Sequence, residues 1–211
     1  MTGFIALWAV VTDAWNYSAI LFPARILELC KYLYGYLSRI AWMLPAFLLI
    51  RRFDKSLFWS RKQLFSKLKA EPVFMAFIGF TTIYAFISMG ISHHSWHITG
   101  ENLLFLTIKL LIVGIGEETV FRGWRYNLLK KAHSNLVSLL LSAFLFAALH
   151  WPAYFIKWFL YGQFNWLGIV TQSLSAWFCG LLFGAMLNRS GTLWNAIAAH
   201  FYYDWMLEVF A

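Results

Sequence analysis

Glu117 and Glu118, two adjacent carboxylates, stand with Arg122 inside the stretch Gly116–Gly123, and the residues leading into it, Leu103–Ile108 and Leu110–Ile115, are almost wholly apolar. Ionisable groups are costly in such surroundings and persist mainly where they face a helix-bundle interior and do chemistry. On a helix Glu118 and Arg122 are four residues apart, so they can pair and offset part of each other's desolvation. Glu117 then lies on a different face, without a local partner. Two histidines in later apolar runs, His150 and His200, supply imidazoles, and Asp204 follows His200 by four residues on the same helix face. Glu117 with His150 could hold a water, the carboxylate accepting its proton while the imidazole orients it, and His200 with Asp204 would form the opposite wall. The same set of Glu117, His150, His200 and Asp204 also suits a divalent metal, so metal dependence stays open.

The elements that must bring these groups together follow from composition. Of 211 residues 61% are hydrophobic and only 12% charged, with a mean hydropathy of +0.64. A water-soluble domain of this size would expose far more charge, so the chain reads as a polytopic membrane protein, an all-α transmembrane bundle of about seven spans, six to eight being the range. The 12 Trp and 10 Tyr suit interfacial belts. A formal charge of +8 then reflects topology and anionic headgroups, with no reason to invoke nucleic acid. Cys30 and Cys179 lie in apolar surroundings and imply buried thiols, not a disulfide or zinc framework. The first residues lack a basic region followed by a small-residue cleavage site, so no cleaved signal peptide is expected.

A first apolar run covers Gly3–Phe22, broken by Asp13 and Asn16 and closed by Pro23; a second, about Leu33–Ile50, contains Arg39 and Pro45 and is expected to be kinked or partly interfacial. Seven basic residues follow between Arg51 and Lys69, against Asp54 and Glu71, which makes this loop cytoplasmic and sets the orientation of all that follows. Its apolar members Leu57, Phe58, Leu64, Phe65 and Leu68 are expected on one face of an interfacial helix. Pro72–Ile91 is a clean span leading outward, and the loop after it carries His93, His94, His97 and Glu101, read as solvated for want of a fourth ligand in register. The motif helix should end at Lys130-Lys131, placing Glu117 about 20 Å deep. Leu136–His150 runs outward to Pro152 and a loop over Tyr154–Trp166, Leu167–Leu187 returns with small residues that permit close packing, and Asn188–Gly191 turns inside. The last helix, Thr192 to about Phe210, sets His200 about 12 to 15 Å from its start. Glu117, His150, His200 and Asp204 thus come to nearly one level. Residues 1–71 are read as N-terminal spans with the basic loop, and 72–211 as the helical core carrying the site, in one structural domain whose N-terminus is inside and C-terminus outside.

Three ordered motifs, Glu117-Glu118-x-x-x-Arg122, Phe146-x-x-x-His150 and His200-x-x-x-Asp204, resemble those of the CPBP family, which contains CAAX prenyl endopeptidases of the Rce1 type and bacteriocin-processing or self-immunity (Abi) proteins. The resemblance covers about residues 75 to 205. It implies a glutamic-type intramembrane endopeptidase in which Glu117 and His150 activate a water, His200 and Asp204 stabilise the oxyanion, and Glu118 with Arg122 serves the architecture, with Phe146 beside them. One position departs: the prenyl endopeptidases have Asn where this chain has Asp204, and a carboxyl group donates a hydrogen bond only when protonated. Otherwise Asp204 would support His200 or bind a metal.

The expected activity is therefore hydrolysis of a peptide bond in a membrane-embedded or lipidated peptide or protein tail, within the lipid bilayer, without a cofactor unless a divalent metal serves. The alternatives are a metal-dependent membrane protease using the same residues, a non-catalytic immunity or partner-binding membrane protein, and a transporter or proton relay. Prenylated tails, pheromone or bacteriocin leaders and C-terminal sorting tails all suit the resemblance, and small loops lean toward a prokaryotic inner-membrane protein.

Overall fold

The computed structural model describes residues 24–92 and 100–210. The expected first span over Gly3–Phe22 and the histidine loop His93–His97 lie outside the described residues, as does the side chain of Glu101. The described chain is helical. Helix α1 spans Ala24–Arg52, and Pro45 lies inside it without ending it, as membrane helices allow when neighbours compensate for the lost hydrogen bond. Trp42, Ala46 and Ile50 recur at four-residue spacing on its bundle-facing stripe and are completely buried, whereas Leu37, Leu44 and Leu48 point outward.

The basic segment after α1 is a compact base instead of an amphipathic interfacial helix. A 3-10 turn, Asp54–Ser56, leads to the four-residue helix α2, Arg61–Leu64, whose N-terminus is held by a capping box between Ser60 and Gln63. Leu57, Trp59 and Leu64 are buried against Tyr126, Leu187 and Leu193, while Phe58 and Leu68 are exposed. Hydrogen bonding explains the difference. The backbone here is stitched to buried side chains: Trp59 N–H donates to Asn127 Oδ1 at 2.7 Å and Asn127 Nδ2 to the Trp59 carbonyl at 2.8 Å. Asn195 does the same for Lys69, at 3.1 and 2.6 Å, and Thr192 Oγ1 donates to the carbonyls of Leu64 and Ser66. A continuous helix would have consumed those backbone groups internally.

Helix α3, Pro72–Ser92, leads away from this base, and α4, Gly100–Glu118, returns toward it. At Glu118 the winding loosens into a π-helical stretch, Thr119–Tyr126, before α5, Asn127–Ala132, completes the rod; wide turns of this kind are frequent at functional sites. The rod ends at Lys130-Lys131, as the charge pattern predicts. Ser134 caps α6, Asn135–Ala148. The expected loop over Tyr154–Trp166 is mostly helix: α7 covers Trp151–Tyr161, with Pro152 in its first turn and Gly162 in the left-handed conformation closing it. Proline is favourable at that first position, so Pro152 starts a helix where the sequence suggests only an end. Helix α8, Trp166–Ser190, ends at Gly191, whose φ of 70° permits the C-cap, and α9, Leu193–Phe210, closes the bundle.

Helices α6 and α8 form the most extensive packing pair, and α9 packs on α3 and α4. The small residues are responsible: a β-carbon on Gly180 would meet Ala143 at 3.0 Å, and one on Gly114 would meet the backbone of Ile197 and Phe201 at 3.4 Å. The exterior is apolar, with Phe80, Ile83 and Ile87 on α3, Leu136 and Phe144 on α6, and Leu174 and Phe178 on α8 exposed. An apolar exterior of this extent fits lipid as the solvent. Three helical stretches are long and apolar enough to cross a membrane, Pro72–Ile91, Asn135–Phe159 and Trp166–Ser190. Helices α1, α4 and α9 are long as well but carry the ionisable residues of the site.

Candidate active site

Glu117 and Glu118 diverge where α4 gives way to the π-helical stretch. Glu118 turns into the bundle, where its Oε1 accepts from Arg122 Nη1 at 2.8 Å and from His200 Nδ1 at 2.9 Å. Both members of the Glu118–Arg122 pair are completely buried. The guanidinium stacks on Phe146 with Cζ 4.2 Å from the ring centroid, and faces Phe183 at 5.3 Å; these ring faces stand in for the water that burial removes. Gly180 leaves the room, since a β-carbon there would come within 3.2 Å of Arg122 Nη2.

Glu117 faces the other way, and it is not without a partner. Arg39, reaching across from α1, donates from Nη1 to Glu117 Oε1 at 3.1 Å. The other oxygen, Oε2, lies 3.8 Å from His200 Nε2. Sequence inspection missed Arg39; its signal was an arginine in an otherwise apolar run, three residues before Trp42 on the stripe that faces the bundle.

His200 is buried and sits among three carboxylates. Nδ1 donates to Glu118, while Nε2 points toward both Glu117 and Asp204, the latter at 3.4 Å. Its ring stacks on Phe183 at 5.1 Å and meets the edge of Phe146 at 5.7 Å. Phe146 also contacts His150, at 5.6 Å and nearly perpendicular, so one ring spaces both imidazoles. His150 lies at the turn between α6 and α7, where Pro152 prevents α6 from running on. Its Nδ1 lies 3.2 Å from the Phe146 carbonyl. Donation to that carbonyl fixes the tautomer and leaves Nε2 as an acceptor.

A cavity of about 500 Å³ is lined by Glu117, His150 and Asp204 together with Arg39, and continues past Lys109 and Gln172. The structure thus brings Glu117, His150, His200 and Asp204 around one place, with Glu118, Arg122 and Phe146 behind them. For a divalent ion the fit is poor: among the described residues no three His, Cys, Asp or Glu side chains converge as ligands. The reason is local. One His200 nitrogen is committed to Glu118, the other faces two carboxylates, and the Arg39 guanidinium holds one of the two Glu117 oxygens.

The described helices form an apolar-faced bundle with an acid and histidine cluster buried inside it, an arrangement that suits an integral membrane protein. A family model described as type II CAAX prenyl endopeptidase Rce1-like matches residues 99–206, which contain every cluster residue except Arg39. The chain belongs to that family of proteases. No curated protein and no solved structure matches it.

Proposed function

We propose that this protein is a multi-pass intramembrane endopeptidase that cleaves a peptide bond in a membrane-associated peptide or protein tail. The observation that carries this reading is the division of labour between neighbouring carboxylates: Glu118 is sealed into an ion pair, while Glu117 faces a cavity opposite a histidine with an available Nε2. A water between Glu117 and His150 loses its proton to the Glu117 carboxylate as its oxygen attacks the peptide carbonyl. The tetrahedral oxyanion forms beside His200 and Asp204, where any N–H or O–H aimed at it stabilises charge that exists only in the transition state. Glu117 then returns the proton to the departing amide nitrogen as the carbon–nitrogen bond breaks. Arg39 positions Glu117, and Glu118 positions His200.

Glu117→Gln keeps size and loses the base. Purified in detergent or reconstituted, it should retain the wild-type elution profile and melting temperature while losing cleavage of membrane-anchored reporter tails. A Glu117→Gln protein that still cleaves would end this reading.

A further inference from the structure

The cavity opens toward one end of the bundle, and the charge distribution says which side of the membrane that end faces. Every helix contributing to the lining can be followed from the base, the end that holds the basic segment together with Asn127, Asn135, Ser190 and Leu193. Glu117 is ten residues from Asn127, or about 15 Å along the rod. Lys109 is eight residues further still, Glu208 lies beyond Asp204 on α9, Lys157 lies beyond His150 on α7, and Gln172 and Asn165 occupy the half of α8 remote from Ser190. No lining residue comes from between Glu117 and the base. That interval is filled: Val120, Phe121, Arg122, Tyr126, Leu187 and Leu193 are completely buried. Among the described residues the site therefore communicates with the end away from the base.

The base carries Arg51, Arg52, Lys55, Arg61, Lys62, Lys67 and Lys69, and Lys130, Lys131 and Arg189 join them at the inner helix turns. Lys and Arg in short loops mark the cytoplasmic side. Basic residues do not outnumber acidic ones toward the opposite end, where Arg25, Lys31, Lys109 and Lys157 stand against Glu28, Glu101, Asp204 and Glu208. The lining mixes apolar side chains, Leu110, Val113, Leu149 and Ala153, with Asn165 and Gln172, whose amides can bond an extended peptide backbone.

Resting on the proposed endopeptidase activity, we infer that the cavity is loaded from the non-cytoplasmic face of the membrane, and that its substrate is an extended peptide segment displayed there by an exported, membrane-anchored protein. Single-cysteine additions in the full chain test the entry face directly. With a membrane-impermeant maleimide applied to intact spheroplasts, and the parent chain with its own Cys30 and Cys179 as background, Gln172→Cys and Lys157→Cys should label without permeabilisation. Ser56→Cys, exposed at the base, should label only after it. If the rim positions label only after permeabilisation, or if Ser56→Cys labels from outside, the inference is wrong; two rim variants guard against one failing to insert. Labelling does not depend on turnover, so it separates this inference from the catalytic reading. Rim labelling from outside in a protein whose Glu117→Gln form still cleaves would remove the chemistry and keep the entry face. Rim labelling from the cytoplasm in a Glu117-dependent protease would do the reverse.

Discussion

At the scale of single residues, the two glutamates make opposite predictions. Glu117→Gln should lower cleavage about 10²- to 10⁴-fold, the usual contribution of a positioned base, at unchanged folded yield. Glu118→Gln should chiefly lower yield and melting temperature, because it leaves the fully buried Arg122 charge uncompensated, at a cost of about 3 to 5 kcal/mol. A Glu118→Gln protein that folds normally and lacks activity would show the roles reversed. Arg39→Gln should reduce kcat without the collapse in yield, since the Arg39 side chain is 24% exposed and retains some access to water; equal losses of yield in the two variants would contradict that. Asp204→Asn should keep most of the activity, because an amide can donate where the carboxylate now faces His200 Nε2 at 3.4 Å. An inactive, folded Asp204→Asn enzyme would instead assign Asp204 to holding His200 in place. The four lining and wall residues were legible in the sequence because each interrupts an apolar run and pays for desolvation only where it is used. Arg39 interrupts an apolar run too, but its partner lies 78 positions away, so that signal did not tie it to Glu117.

At the scale of elements, small residues decide where helices touch, and the glycines divide into two kinds. Gly180 sits where α8 meets Ala143 of α6 and the Arg122 guanidinium, whereas a β-carbon on Gly79 of α3 would meet nothing within 4 Å. Gly180→Val should therefore destabilise by about 1 to 3 kcal/mol or more through overpacking, and should disturb the ion pair as well. Gly79→Val should change the melting temperature in detergent little. Comparable losses in both variants would mean that the α6–α8 contact is not what orders the site. Element boundaries were readable where charge or capping marks them, as at Lys130-Lys131 and at Ser134 before α6. They were misread where one residue type serves two purposes: Pro152 both stops α6 and opens α7. The widening of the helix over Thr119–Tyr126 has no sequence signature, since it reflects how Arg122 and Phe121 must pack against α6 and α8 and not any local propensity.

At the scale of the whole molecule, the proposed topology gives the basic segment two separable tasks, orienting the chain and closing the bundle, and different residues would carry them. Lys69 belongs to the closure: its backbone bonds Asn195, and its ammonium donates to the Ser190 carbonyl. Lys55, Lys62 and Lys67 are exposed and make no hydrogen bond or ion pair among the described residues. Their charge is then free to act on topology alone, through the preference of Lys and Arg in short loops for the cytoplasmic side. Replacing Lys55, Lys62 and Lys67 together with Gln should leave the melting temperature of correctly inserted protein unchanged, since exposed charges away from partners contribute little to stability. It should raise the fraction of molecules inserted with Ser56 outside, read by impermeant labelling of a Ser56→Cys form, and lower specific activity in membranes in proportion to that fraction. Lys69→Gln should show the opposite pattern, a lower melting temperature with orientation retained, because one of several basic charges is lost but a bond that holds the base to α8 is broken. Triple-variant protein that is destabilised yet uniformly oriented would mean that these lysines act structurally and that orientation is set elsewhere, by Arg125, Lys130 and Lys131 on the next inner turn.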